Sequence, residues 1–128
     1  MNAYLWVSLG GAIGACARFS VAQWLAAGQP GSFPWPTFVV NACGALLIGL
    51  AIGWFGQSGW FSDYGRAFFV TGVLGGFTTF SAFSLEVVQL AQAGFIAQAV
   101  TYALVSLLVC AAFAALGLKL GVALTTSS

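Results

Sequence analysis

Four long apolar runs separated by three short interruptions make up almost the whole 128-residue chain. They extend from Ala3 to Ala27, from Thr37 to Phe55, from Ala67 to about Gln92 and from Ile96 to Ala123. Each is near or above the roughly 20 residues an α-helix needs to cross hydrocarbon. The pattern predicts an all-α integral membrane protein: four transmembrane helices in one domain spanning residues 1–128, with no soluble module before, between or after them. The first run has no basic segment ahead of it and carries Arg18 well inside, so it is expected to be a retained span rather than a cleaved leader.

The interruptions set the connections. Gly28 to Pro36 holds all three prolines together with Gly31 and Ser32, and reads as a compact turn. Gly56 to Gly65 mixes Gly, Gln, Ser and Asp63 with Trp60 and Tyr64, and Trp54 lies just before it, rings that favour the membrane–water interface. The third connection, around Gly94, is so short that the third and fourth spans are expected to pack as an antiparallel pair. Small residues recur at four-residue spacing on three spans: Gly10 and Gly14; Ala45, Gly49 and Gly53; Gly117 and Gly121. Such stripes let helix backbones approach closely in lipid.

Within the third run the apolar pattern fails. Gly75 and Gly76 are followed by Thr78, Thr79, Ser81 and Ser84, a mixture that interrupts a continuous helix. A break is expected near residues 75–79. It can be a kink whose freed backbone groups bond to the hydroxyls, or a discontinuous helix whose half-helix ends hold ions at mid-membrane. Phe80 and Phe83 follow three residues apart on one face. They can be core packing, or two ring edges whose electropositive rims attract an anion. Asn41, near the start of the second run, offers a neutral amide with two donors, usable by an anion or as interhelical glue. Tyr102, Ser106 and Cys110 fall at four-residue steps on one face of the fourth run. Arg18 can concentrate anions at a vestibule or snorkel to the interface. Glu86, one turn beyond Phe83, can pair with Arg18 or cap a polar path.

Composition narrows the functions open to such a chain. Hydrophobic residues make up 61% of it and charged residues 4%, three Lys/Arg against two Asp/Glu, too few to build a water-facing surface. No nucleic-acid partner is expected. Histidine is absent, which removes the usual proton shuttle and the usual base of a hydrolytic triad, so no enzymatic activity is expected. Cys16, Cys43 and Cys110 have no metal-type spacing and read as small packing residues. Orientation follows the Lys/Arg imbalance of the loops, and Arg18, Arg66 and Lys119 supply almost none, so the chain is expected to insert both ways round.

Three stretches together, GGAIGACARF ending at Arg18 and Phe19, TFVVNACGALLIG containing Asn41, and GGFTTFSAFSLE in the third run, resemble the Fluc (CrcB) family of bacterial fluoride channels over essentially the whole length. The resemblance implies a passive, fluoride-selective channel in the bacterial plasma (inner) membrane that exports cytoplasmic fluoride. It further implies a dual-topology antiparallel homodimer enclosing two pores, with a structural sodium ion at its centre. Carried over by position, Phe80 and Phe83 are similar to the pore aromatics, Asn41 to the pore asparagine, Arg18 to the vestibule arginine, and Tyr102 and Ser106 to a polar track. The backbone carbonyls of Gly75 and Thr78 would ligate the sodium. Cys110 departs from the family, which can carry a hydroxyl residue there. A proton-coupled four-helix drug or cation antiporter is the competing reading. It would need a membrane carboxylate, typically on the first helix, where this chain has Arg18. A purely structural membrane subunit would leave Asn41 and the phenylalanine pair without a shared purpose.

Overall fold

In a computed structural model that describes residues 2–25 and 28–127, the chain is helical almost throughout. Helix α1 (Ala3–Trp24) starts behind Asn2, whose side-chain oxygen accepts the Tyr4 amide at 3.0 Å, as an N-cap does. The expected end of the first span at Ala27 lies outside the described residues. Helix α2 (Trp35–Phe55) opens with Pro36 in its first turn, where the missing N–H costs nothing. A π-wound helix, α3 (Phe61–Leu74), runs into a single α-turn at Gly75–Phe77. The chain then leaves helical geometry and resumes as α4 (Ser81–Gln92). A reversal at Gly94, with φ +92°, leads into the longest helix, α5 (Ile96–Thr126). Taken across the interruption, four helices are long and apolar enough to cross a membrane.

Two expectations need correction. The second connection does not persist to Gly65, because α3 starts at Phe61 and takes Asp63, Tyr64 and Arg66 into its first turns. Asp63 suits the positive end of the helix dipole. Aromatic packing carries the helix beyond the apolar run: Tyr64 stacks on Trp6 with ring centroids 5.2 Å apart, and Trp60 stands edge-on to Phe61 and Phe69.

The second correction concerns which spans pair. The long interfaces are α1 with α3 and α2 with α5, and the expected antiparallel pairing of the third span with the fourth holds only for the second half of the third. A Cβ on Gly10 would strike the Phe68 carbonyl, and one on Gly14 the Val73 carbonyl; a Cβ on Gly49 would strike the Ala114 carbonyl, and one on Gly53 that of Leu118. Residue numbers rise together across both interfaces, so each is a parallel pair, as alternate spans of a four-span chain must be. Of the third span only its second half, α4, packs on α5, antiparallel and through a small cluster of Leu90, Ala99 and Tyr102 bordered by Phe33, Phe83 and Phe95. Val40, Phe61 and Leu74 are buried between helices, but many large apolar side chains face outward: Leu107 is 65% and Leu108 67% exposed. Lipid, rather than a protein core, is the solvent this surface fits.

Candidate functional site

The site is organised by the break in the third span. Glycine weakens the helix at Gly75 and Gly76, yet both stay helical, and the chain departs at Thr78, whose ψ is 158°. The interruption therefore covers Thr78 to Phe80, starting later than the glycines suggest. A contact from another helix sets it there. Asn41 on α2 donates through Nδ2 to the Thr79 carbonyl at 2.9 Å and accepts the Thr79 amide on Oδ1 at 2.8 Å. One side chain thus replaces both hydrogen bonds that the Thr79 peptide loses on leaving the helix. Its second Nδ2 hydrogen remains available. The Thr79 hydroxyl accepts the Ala82 amide at 3.2 Å, as a cap for α4.

Other groups stabilise the first half's end. Arg18 on α1 donates its Nε to the Gly76 carbonyl at 3.1 Å, and the Thr78 hydroxyl donates to the Leu74 carbonyl at 2.8 Å. Among the described residues, the carbonyls of Gly75 and Thr78 receive no hydrogen bond, and neither do the amides of Phe80, Ser81 and Phe83 donate one. Free carbonyls at one half-helix end, those of Gly75 and Thr78 and also that of Phe77, and free amides at the start of the other are the groups by which a discontinuous membrane helix meets cations and anions. The Gly75 and Thr78 oxygens are also the hard, neutral donors that suit an alkali cation, although a single chain provides only two of them.

Beside the break lies a cavity of about 440 Å³. Its walls bring together Asn41 and Gly44 from α2, Gly75 and Thr78 to Phe80 from the break, Phe83 from α4, and Ser106 and Cys110 from α5. Gly44 is required there, since a Cβ would strike the Thr78 methyl group. The Phe80 and Phe83 rings stand 5.6 Å apart, with Phe80 79% exposed at the open side. Phe83 meets the Tyr102 ring at 5.1 Å, near edge-to-face. Tyr102 is wholly buried and does not line the cavity itself, and among the described residues the Oγ of Ser106, 6% exposed, has no hydrogen-bond partner. Glu86 and Tyr102 bring their polar ends together beside Thr37. A buried hydroxyl without a partner, as at Ser106, is costly unless a water or an ion visits it.

Of the residues singled out in the sequence, Asn41, Gly75, Thr78, Phe80, Phe83, Ser106 and Cys110 meet at one cavity, and Tyr102 borders it through Phe83. Arg18 does not reach it, being engaged on the α1 side of the break. The suggested Arg18–Glu86 pair does not form: Arg18 bonds to a backbone carbonyl, and Glu86 faces Tyr102 and Thr37. Thr79 enters the sequence pattern only as one of several hydroxyl residues at the break, and Thr37 only as the start of the second run. Thr79 had a legible signal in its capping position three residues before Ala82, whereas Thr37 acquires meaning only from helices distant in sequence.

With this arrangement in view, comparison with known proteins is informative. Residues 5–118 match the family described as CrcB-like protein, Camphor Resistance (CrcB). The chain belongs to the CrcB family. Among curated CrcB relatives, a Thermus thermophilus protein named fluoride-specific ion channel FluC is 44% identical over 121 residues, covering 94% of each chain. Proteins of the same name from Hyphomonas neptunium and Novosphingobium aromaticivorans are 48% and 47% identical, over 84% and 80% of this chain and 86% and 82% of their own. Four membrane-length helices and channel relatives together make this CrcB chain a multi-pass membrane protein.

Proposed function

We propose that the chain is a passive, fluoride-selective ion channel that lets cytoplasmic fluoride leave the cell. The observation that carries this reading is the cavity itself. Ring edges of Phe80 and Phe83, the spare amide hydrogen of Asn41 and the unpartnered hydroxyl of Ser106 gather in its walls, with Tyr102 bordering them through Phe83, in a chain whose relatives bear the fluoride-channel name. Fluoride is small and strongly hydrated. Neutral donors can replace its water without holding it permanently, and a narrow path that enforces dehydration discriminates against ions that fit the donors less well. A membrane potential negative inside favours outward movement of the anion by about 2.3 kcal/mol per 100 mV.

Several finer features belong to the same proposal. Two copies inserted in opposite directions would form an antiparallel dimer, consistent with the thin Lys/Arg imbalance and with Phe80 standing 79% exposed at the open side of the cavity. Face to face at their breaks, they would contribute four carbonyl oxygens from Gly75 and Thr78, a donor set fitting a structural sodium ion. Such an ion would supply positive charge to fix the two breaks together. The bacterial inner membrane is the place where export would protect the cytoplasm. The antiporter reading is less well supported: the cavity's lining residues include no carboxylate, and Glu86 stands behind Tyr102.

Purified protein reconstituted in liposomes, with efflux followed by a fluoride electrode, tests the proposal. Passive fluoride efflux is expected, strongly reduced in Phe80→Ile with the dimer intact by size-exclusion chromatography. No efflux, or an equal efflux of chloride, would overturn it.

A further inference from the structure

The three cysteines are not equivalent. Cys16 on α1 and Cys43 on α2 are exposed on outward faces and take no part in the cavity, whereas Cys110 on α5 is half-buried in its wall. All three thiols are free. One helical turn before Cys110, Ser106 lines the same cavity. It is only 6% exposed and its Oγ has no hydrogen-bond partner, so this wall presents a buried polar atom fitted to a small guest. Phe80 and Phe83 bound the same space. A group attached to the Cys110 sulfur would therefore lie among the side chains that the proposed path requires.

We infer that Cys110 is a covalent capture site for small, soft, thiophilic metal electrophiles, and that one adduct on its Sγ closes the cavity to ions. A side chain of this kind gives the channel a sensitivity to thiophilic metals that a serine or threonine at the same position would lack. Mercuric chloride is the suitable probe, because it is small, linear and uncharged, and a path built for anions does not oppose it. The Cys110 sulfur displaces one chloride from mercury: the S–H and one Hg–Cl bond break, an S–Hg bond forms, and a proton and a chloride ion leave. Nothing is oxidised or reduced. Thiolate is the attacking species, and excess small thiol reverses the exchange by competing for the metal.

The block rests on the cavity being the conduction path, while the adduct rests only on access to the sulfur, so the two are read separately. Full-length protein in liposomes is treated with mercuric chloride and then with dithiothreitol. Fluoride efflux is compared with each variant's own untreated rate, and intact mass reports the adducts. The Cys16→Ser/Cys43→Ser double variant should gain one mercury per chain, lose at least tenfold of its efflux in step with that adduct, and recover on addition of dithiothreitol. Cys110→Ser, or Cys110→Ala should the serine variant fold poorly, should keep its own rate. Unchanged efflux in a fully adducted double variant, or an equal block in the Cys110 variants, overturns the inference. Absence of an adduct in folded protein that labels readily once denatured does so too. If the untreated protein passes no fluoride, it is the channel reading that fails; the mass measurement then still decides whether Cys110 faces an accessible cavity.

Discussion

Replacing Asn41 by alanine should damage the channel more than the loss of one neutral side chain suggests. Its amide makes two hydrogen bonds, at 2.9 and 2.8 Å, to the carbonyl and amide of a single residue, Thr79, which has left the helix. Interhelical hydrogen bonds in membranes average only about 0.6 kcal/mol and reach about 1.7. Alanine, however, leaves two backbone groups without partners, and each buried unsatisfied group costs about 1–3 kcal/mol. Since the cavity admits some water to the break, a total of about 2–4 kcal/mol is reasonable. At about 1.4 kcal/mol per factor of ten, the correctly set break becomes roughly 30- to 1000-fold less favoured over alternatives. Fluoride efflux from liposomes should fall at least tenfold, and thermal unfolding in detergent should shift to lower temperature. Asn41→Asp keeps the acceptor for the Thr79 amide but turns a carboxylate oxygen towards the Thr79 carbonyl and puts negative charge in an anion's path, so efflux should be abolished. Wild-type efflux together with unchanged unfolding in Asn41→Ala would refute the view that this side chain sets the break.

Other consequences follow from the packing and the turn. Gly14→Ala places a methyl group against the Val73 carbonyl, a backbone atom that cannot swing aside, and should destabilise the α1–α3 pair by about 1–3 kcal/mol; Gly11→Ala, where nothing lies within 4 Å, is the matched control, and equal unfolding temperatures for the two would contradict the close approach. Gly94→Ala puts a side chain at φ +92° and should lower stability by about 1–2 kcal/mol, again by thermal unfolding, with little change in efflux per folded channel. Arg18→Met removes the donor to Gly76 and should reduce efflux equally at low salt and at about 1 M. A vestibule charge acting at a distance would instead lose its influence at about 1 M, where the screening length is about 3 Å, so a defect that disappears in high salt would restore the vestibule role.

How much of this was legible beforehand depends on the range of the interaction concerned. The four spans were readable because hydrocarbon thickness imposes a length and a composition on each of them separately. The break was readable too, because paired glycines beside threonines and serines weaken a helix locally. Its position was not: Gly75 and Gly76 mark weakness, but the departure occurs at Thr78, because Asn41, 38 residues before Thr79, offers that residue its replacement hydrogen bonds. Pairing of the spans was legible only in part, for a related reason: α4 does pack on α5, but the long interfaces lie elsewhere. Glycine stripes show where a backbone can come close, yet the same stripe serves any neighbour, and chain adjacency favoured the third and fourth spans. Steric fit chose otherwise, with Gly10 and Gly14 against α3 and Gly49 and Gly53 against α5.

The site shows the same division. Residue types announced an inventory of neutral donors and ring edges, but the roles within it were decided by distant contacts. Asn41 had been open to use as an anion donor or as glue, and these uses turn out to be compatible. The two bonds to Thr79 take its oxygen and one amide hydrogen, and by fixing the plane of the amide they also fix the direction of the hydrogen left over. Arg18 shows the opposite outcome. Its charge suggested attraction at a distance, whereas its Nε is committed to one carbonyl on the far side of the break. That bond occupies the Gly76 oxygen while those of Gly75, Phe77 and Thr78 have no partner among the described residues, so an arginine outside the cavity helps to determine which backbone atoms the break presents. In a protein with so few charges, the effect of this one is exerted through the geometry of neutral groups.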